Sequence, residues 1–571
     1  VSPREAVWLD PQVRLLLEVV YEAFEDAGCA GRIRGTRTGV YLGVSFHEYW
    51  DEIVRARVPI QDYQAVTAVP SALAGRLSYV FDLQGPSVPV DNACASSLTA
   101  LHLAVRALRS GECDRAVVAG ANLLLSPLHY VYTAKAQALS PTGRCRPFDA
   151  GADGYVPGEG VAVLVLRPLE QALADGDRVL AVVSGSATNH VGRSNSPTAP
   201  RPELQAQVLR QAWADAGVSP GDLGLVEAHG TGTLLGDPIE VRALRTAFGD
   251  EGRPGGCVLG SVKANLGHLE AAAGIAGVLR AILSLRHEAI PAMAGWNELN
   301  PFLDLDGSPF VINSETVPWP ATDGAVRRAG ISSFGMSGSN THVVIEEPPR
   351  LPVPQRPDGG QLLVVSARTA ERLIAHCGRL AEALRANRPH LADVAWTLQT
   401  GREAFEHRAA IWAEDLDEAI EALTAPHWTG RVPTGSRPAR VATRPGADRQ
   451  TWERWAREWT AGADADWTAA WPAAHPPLAE LPAYPFSPDR YWIPERYTHT
   501  PPSGDSPSQC GWGRTTRSWP TMWCGTCRCC PARRSWSSPA RPVPVPDRSP
   551  GSPTWCGSAR PPAPSSGSPW S

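Results

Sequence analysis

The chain has 571 residues, 43% hydrophobic and 19% charged, with a formal net charge of -5 at pH 7. That length allows roughly two to four domains, and the composition suits a protein with a sizeable core. The mild acidity excludes both a nucleic-acid footprint and a basic membrane-binding surface.

The opening run, VSPREAVWLDPQVRLLLEVV, has no initiator Met and no long uninterrupted apolar stretch. It predicts neither a signal peptide nor a membrane span, and reads as a piece cut from something longer. Residues 10–28, DPQVRLLLEVVYEAFEDAG, place apolar side chains at helical spacing and end in Gly28, a C-cap. TRTGVYLGV and CDRAVVAGANLLL then read as strands, followed by GEGVAVLVLRPL and DRVLAVVSGSATN. Continuous apolar strands of this kind predict sheets covered on both faces, so the body is a layered α/β structure. GISSFGMSGSNTHVVIEEPP reads as a Gly/Ser-rich turn leading into a strand. A proline-rich seam at 350–360 separates this body, residues 1–349, from a smaller α/β unit at 361–496. That unit holds the strand LLVVSA, helices at TAERLIAHCGRLAEALRA and HLADVAWTLQTG, the strand HRAAIWA and a Trp-bearing helix, TWERWAREWTAG.

Of the 12 cysteines, six stand singly (Cys29, Cys94, Cys113, Cys145, Cys257 and Cys377), the pattern of a cytoplasmic protein and not of a disulfide framework. Cys94 is singular in its setting, VDNACASSLTALHLAV. A strand-like run precedes it, and Leu98, Leu101, Val105 and Leu108 share one helical face after it. A thiol at a strand-to-helix turn meets unpaired amides and the helix dipole, which predicts raised thiolate character. Small neighbours (Ala93, Ala95, Ser96, Ser97) leave room for a substrate. Two histidines open from strands into Gly-rich turns: His229 in LVEAHGTGTLLGDPIE and His268 in VKANLGHLEAAAGIAGV, five residues after Lys263. Catalytic groups concentrate in such loops. No metal site is predicted, because no carboxylate or histidine recurs at ligand spacing.

VDNACASSL, SPTGRCRPFDAGADGYVPGEG, EAHGTGTLLGDPIE, KANLGHLEAAAG and SSFGMSGSNTH together resemble the ketosynthase (β-ketoacyl synthase) domain of modular polyketide synthases. The resemblance spans nearly all of residues 1–349. It implies a thiolase-like fold, two similar α/β halves stacked in five αβαβα layers, usually as a homodimer. By that resemblance Cys94 takes an acyl chain from an acyl carrier protein, while His229 and His268 assist malonyl decarboxylation and stabilise the enolate. Lys263 would orient and polarise its surroundings, the alternative being a solvated lysine before a helix. The Met336 backbone amide would help form an oxyanion hole, with Thr231, Thr233, Phe334 and Asn340 supporting. Thioester exchange independently requires a nucleophile that is also a good leaving group, and its oxyanion requires fixed donors. There are two departures. Ala95 replaces the usual hydroxyl after the nucleophile, which bears on substrate preference. The family also has several tens of residues, including a first core strand, ahead of the point where this sequence starts.

No cofactor is expected beyond the 4′-phosphopantetheine arm of the carrier protein, which brings the substrate. No Gly-His-Ser-x-Gly acyltransferase elbow follows the ketosynthase, so residues 361–496 resemble the flanking subdomain of synthases served by a separate, trans-acting acyltransferase. LPAYPFSPDRYW would wrap back onto the ketosynthase through Tyr484, Phe486, Tyr491 and Trp492; an ordinary aromatic linker predicts nearly the same contacts. From Pro501 onward Leu, Ile, Phe, Tyr, Lys and Glu disappear, so residues 497–571 predict a disordered, low-complexity tail. Back-translated with GC-rich codons and moved one base, part of it becomes a leucine-rich sequence similar to the start of a polyketide dehydratase, which points to a shifted frame rather than metal binding by Cys524, Cys527, Cys529 and Cys530. The predicted reaction is decarboxylative Claisen condensation. Its rivals are a non-elongating ketosynthase that only transfers acyl chains, against which both histidines argue, and an inactive fragment or scaffold.

Overall fold

The Pro11–Asp26 helix shows how local chemistry starts the architecture. Asp10 caps it by accepting the Gln12 amide at 2.8 Å, and Pro11, which has no amide to satisfy, fills its first position. Gly28 follows its end at φ 64, a left-handed conformation that a Cβ would strain. This computed structural model describes residues 1–56, 69–321, 325–350, 356–426, 428–432, 440–441, 443, 445–472 and 475–493. By its contacts the chain divides into Val1–Tyr497 and Thr498–Ser571. The expected tail with its dehydratase-like reading and cysteine cluster lies outside the described residues.

Two sheets repeat one plan. The first contains β1 (Thr38–Gly43), β2 (Ser87–Val90), β3 (Arg115–Asn122) and β4 (Gly160–Leu166), ordered β2-β1-β3-β4. Only β4 runs antiparallel to its neighbour. Further along come β5 (Val182–His190), β6 (Leu223–Glu227), β7 (Cys257–Gly260), β8 (Ala289–Ile290), β9 (Phe310–Val311), β10 (Val317–Pro318), β11 (Arg328–Phe334) and β12 (Ser339–Glu346). The second sheet is ordered β5-β12-β11-β6-β7-β9, while β8 and β10 pair separately. Thus β7-β6-β11-β12 repeats β2-β1-β3-β4 in order and in strand direction, and β5 extends the second sheet beyond β12.

The helices Ser96–Arg109 and Ala273–Arg286 lie between the sheets, packing Leu98, Leu101, Ile275 and Val278 against Val118, Leu225, Ile331 and Val343. Pro11–Asp26 and Pro70–Phe81 cover the outer face of the first sheet; Pro202–Ala216 and Gly236–Phe248 cover that of the second. The result is the five-layered αβαβα, thiolase-like fold. β1 is buried along its whole length, as strands covered on both faces should be. β4, read as equally enclosed, is half-buried throughout, and among the described residues it ends its sheet.

Residues after the proline seam form an antiparallel sheet of β13 (Gln361–Ala367), β14 (His407–Ala413) and β15 (Trp428–Arg431), packed on helices Ala370–Asn387, Leu391–Thr400 and Arg449–Thr460. Tyr484 and Phe486 pack edge-on against Tyr21, and Trp492 against Tyr49. The Tyr484 amide donates to the buried Glu25 carboxylate at 2.7 Å, and the Tyr491 carbonyl accepts from Arg14 at 2.5 Å. Four of the aromatic-rich segment's residues are thereby tied to the Pro11–Asp26 helix and to Tyr49 on the Glu48–Arg55 helix.

Candidate active site

Cys94 lies between β2 and the helix that begins at Ser96. The turn is held by local hydrogen bonds: the Ser96 hydroxyl accepts the Asn92 amide at 2.9 Å and donates to the Ala93 carbonyl at 2.6 Å. Ala93 is forced to φ 51, a strain that non-glycine residues sustain where surrounding structure over-determines them. Ser333 on β11 donates to the Cys94 carbonyl at 2.7 Å, fixing the nucleophile to the second sheet. A Cβ on Gly335 would sit 2.3 Å from the Asn92 carbonyl, so only glycine lets the Met336 turn approach this closely. The Met336 backbone amide lies near enough to the Cys94 sulfur to favour its charged form, while the Met336 side chain is exposed.

The thiol is buried, and it contacts a group that the sequence reading did not single out. Cys94 Sγ donates to Glu270 Oε2 at 3.6 Å. Burial first, then the charge of Glu270, push the thiol well above its usual range, against the opposing Lys263 charge and Met336 amide. This corrects the expectation of raised thiolate character. The dipole of the helix is present, but desolvation and an adjacent carboxylate outweigh it.

His268 and His229 meet with ring centroids 5.5 Å apart, and Phe334 lies 5.7 Å from His229. Burial drives His229 well below its ordinary value, reinforced by Lys263 and His268. Burial likewise lowers His268, to about 4, although the neighbouring Glu270 acts the other way. Both rings are therefore neutral near pH 7. His268 Nδ1 accepts the Glu270 amide at 2.9 Å, which leaves the proton of the neutral ring on Nε2. His229 Nδ1 is buried with no hydrogen-bond partner among the described residues.

The loop after β6 is organised by carboxylates. Glu240 accepts the amides of His229 and Gly230, both at 2.8 Å. Asp237 accepts those of Phe148 at 2.7 Å and Gly232 at 3.1 Å. Burial raises Asp237 to about 6 and Glu240 to about 7 despite those donors. Thr231 and Thr233 share a 3.1 Å hydroxyl contact in the same loop. Lys263 is 4% exposed, not the solvated lysine of the alternative reading. Asn340 is buried on β12, but its amide donates to Asn189 at 2.9 Å, away from the thiol.

The structure thus brings Cys94, His229, His268, Lys263, Phe334 and the Met336 amide together, with Thr231 and Thr233 on the adjoining loop. It adds Glu270, His129 and Tyr155. Glu270 lay inside a quoted motif, two residues after His268, whereas His129 carried no local signal. One imidazole nitrogen of His268, the thiol and a Glu270 oxygen lie within 4.8 Å of one another, a group with metal-ligand chemistry. Local spacing could not reveal it, because Cys94 comes from 174 positions upstream of His268.

A duplicated five-layered α/β fold with a buried thiol at a strand-to-helix turn defines an acyl-transferring enzyme of the thiolase-like class. Residues 1–172 match the β-ketoacyl synthase N-terminal domain, residues 180–297 its C-terminal domain, and residues 361–423 the CurL-like C-terminal region of polyketide synthases. The chain is 39% identical over 534 residues to polyketide synthase PksN of Bacillus subtilis (strain 168), covering 86% of this chain and 10% of that synthase. It is 45% identical over 420 residues to erythronolide synthase EryA2 of Saccharopolyspora erythraea, covering 73% of this chain and 12% of the synthase. The solved ketosynthase from module 6 of the bacillaene synthase of Bacillus subtilis 168 superposes with a TM-score of 0.77 at 36% identity, covering 86% of this chain and 89% of that one. The Streptomyces albus JA3453 oxazolomycin ketosynthase domain OzmH KS7 gives 0.77 at 40% identity, covering 87% and 86%. The chain belongs to the β-ketoacyl synthase family, as a ketosynthase of the polyketide synthase type. It spans about a tenth of the length of the curated synthases it matches.

Proposed function

We propose that this ketosynthase elongates polyketide chains by decarboxylative Claisen condensation. The supporting observation is the convergence on Cys94: a backbone amide from Met336 at its sulfur, and beyond it two neutral imidazoles. Cys94 attacks the acyl thioester on a carrier protein's phosphopantetheine arm, and the resulting oxyanion takes hydrogen bonds from fixed donors including Met336. A malonyl unit on a second carrier protein then loses carbon dioxide. Neutral His229 and His268 donate to the enolate oxygen as its charge develops, without first having to lose their own protons. The enolate carbon attacks the Cys94 thioester, forming the new carbon–carbon bond and releasing the thiol. Lys263 polarises the pair, and Thr231 and Thr233 support the loop that carries His229.

Acyl carrier protein is the macromolecular partner of this reading. A separate acyltransferase supplies the malonyl group, the working form is a homodimer, and the reaction takes place in the cytoplasm, in keeping with six free cysteines among the described residues. Among those residues no helix is long and apolar enough to cross a membrane.

The test is the intact mass of the chain after exposure to an acyl thioester, with Cys94→Ala as control, followed by malonyl-loaded carrier protein. Cys94-dependent acylation, discharged as a ketoacyl product two carbons longer, is the expected result. Acylation without condensation would replace this reading with transfer alone, and no acylation of a folded chain would overturn it.

A further inference from the structure

One charged side chain touches the nucleophile and has no part in the scheme above. Glu270 is 6% exposed and holds φ 44, a left-handed backbone that a Glu sustains only under constraint. Its Oε2 is the acceptor of the Cys94 thiol. Oε1 lies 3.5 Å from His129 Nε2, and Tyr155 lies near enough to favour the ionised carboxylate. The Tyr132 hydroxyl meets His129 Nδ1 at 2.7 Å, completing a chain from the Leu128–Lys135 helix to the thiol. Oε1 itself has no hydrogen-bond partner among the described residues, nor does His129 Nε2, so this buried oxygen is left free beside the thiol.

Resting on the condensing reading, we propose that Glu270 is the base that removes the Cys94 proton during acyl loading. As sulfur bonds to the acyl carbon, the S–H bond breaks and the proton passes to Oε2. The tetrahedral intermediate then collapses. The bond from the acyl carbon to the phosphopantetheine sulfur breaks, and Glu270 returns the proton to that departing thiolate. One thioester and one thiol enter, one of each leave, and no other reactant is required. The thiol already donates to this carboxylate, so attack coupled to proton removal needs no rearrangement of the pocket. His129 and Tyr155 are positioning residues that keep the carboxylate charged and aimed. The groups facing Glu270 are Cys94, His268, Tyr155, His129 and, through His129, Tyr132.

The experiment follows single-turnover acylation of the full chain by an acyl N-acetylcysteamine thioester, read as intact mass, across pH and in both water and D₂O. Glu270→Gln should acylate about 100-fold more slowly, the low end of general-base effects. Its rate should climb about tenfold per pH unit, since only thiolate then reacts. Wild type should be flat across neutral pH and slower in D₂O, and Glu270→Asp should recover part of the lost rate. A Glu270→Gln variant that acylates as fast as wild type, or faster, overturns the proposal. Should that variant fail to fold, wild type decides: no slowing in D₂O overturns it. A folded wild type that is never acylated would sink the condensing reading and this inference together, whereas an acylated wild type with an indifferent variant sinks only the inference.

Discussion

The Phe148 amide donates to Asp237 Oδ2 at 2.7 Å, joining the loop before β4 to the first turn of the Gly236–Phe248 helix. The other oxygen of the same carboxylate accepts the Gly232 amide. Asp237 thereby ties the Gly232 turn of the loop that carries His229 to Phe148, beside the Glu240 carboxylate that holds the His229 and Gly230 amides.

Asp237→Asn replaces an acceptor-only group with one that must turn its NH₂ toward a backbone donor. One amide is left unsatisfied, at a cost of about 1–3 kcal/mol. Urea unfolding should show a lower midpoint with an unchanged slope, and condensation should weaken as His229 loses its fixed position. An unaltered midpoint would show that water replaces the carboxylate freely.

Glu240 provides a stability test whose sign is set by its surroundings. Burial chiefly raises its carboxyl from 4.5 to about 7, so between those values the folded chain binds a proton more tightly than the unfolded one. The corresponding stability is complete below the lower value and disappears as pH rises through the upper. The stability of wild type relative to Glu240→Gln should therefore fall by roughly 3 kcal/mol over that window. Paired denaturation curves at several pH values measure it, and a pH-independent difference would contradict it.

The condensing histidines should show a displaced acid limb. With His268 lowered to about 4, protonation of that ring should not slow condensation as pH falls from 8 to about 5.5, where an ordinary histidine would already be titrating. His229→Ala should cut condensation about 100-fold or more while sparing Cys94 acylation, because its donor acts on the enolate. Product formation from malonyl-loaded carrier protein, set beside intact-mass acylation, separates the two steps. An equal loss in both would assign His229 to loading.

Met336 separates backbone from side chain. Met336→Pro removes the amide that reaches the Cys94 sulfur, and should slow acylation about 100- to 1,000-fold. Met336→Ala keeps the amide and trims an exposed side chain, so its loss should stay below about tenfold. Equal losses in the two variants would mean that the thioether, not the amide, matters.

Much of the architecture was legible from pattern because the decisive signals were local. Asp10 and Pro11 announce a helix start, Gly28 its end, and Leu98, Leu101 and Val105 the face by which the nucleophile's helix enters the core. Both histidines declared themselves through Gly-rich turns after strands, His229 with threonines beside the glycines and His268 at the mouth of an Ala/Gly-rich helix. The half-burial of β4 was not legible, since an apolar run such as GVAVLVL does not report what packs beside it.

The sequence by itself determined which residue types could do thioester chemistry: one thiol in a small-residue turn, two imidazoles in Gly-rich loops, and the order of motifs that marks the family. Only the tertiary structure decided their electrostatic state. Helix-dipole reasoning predicted an activated thiolate, yet the folded chain buries Cys94 beside Glu270 and keeps its proton on. Likewise Asn340 stood in a motif but pairs with Asn189, while His129, unremarkable in sequence, arrives beside Glu270. The physical reason is distance. Residue type and local turn chemistry act over a few positions of chain, whereas desolvation and Coulomb interactions depend on what the fold carries in from more than a hundred residues away.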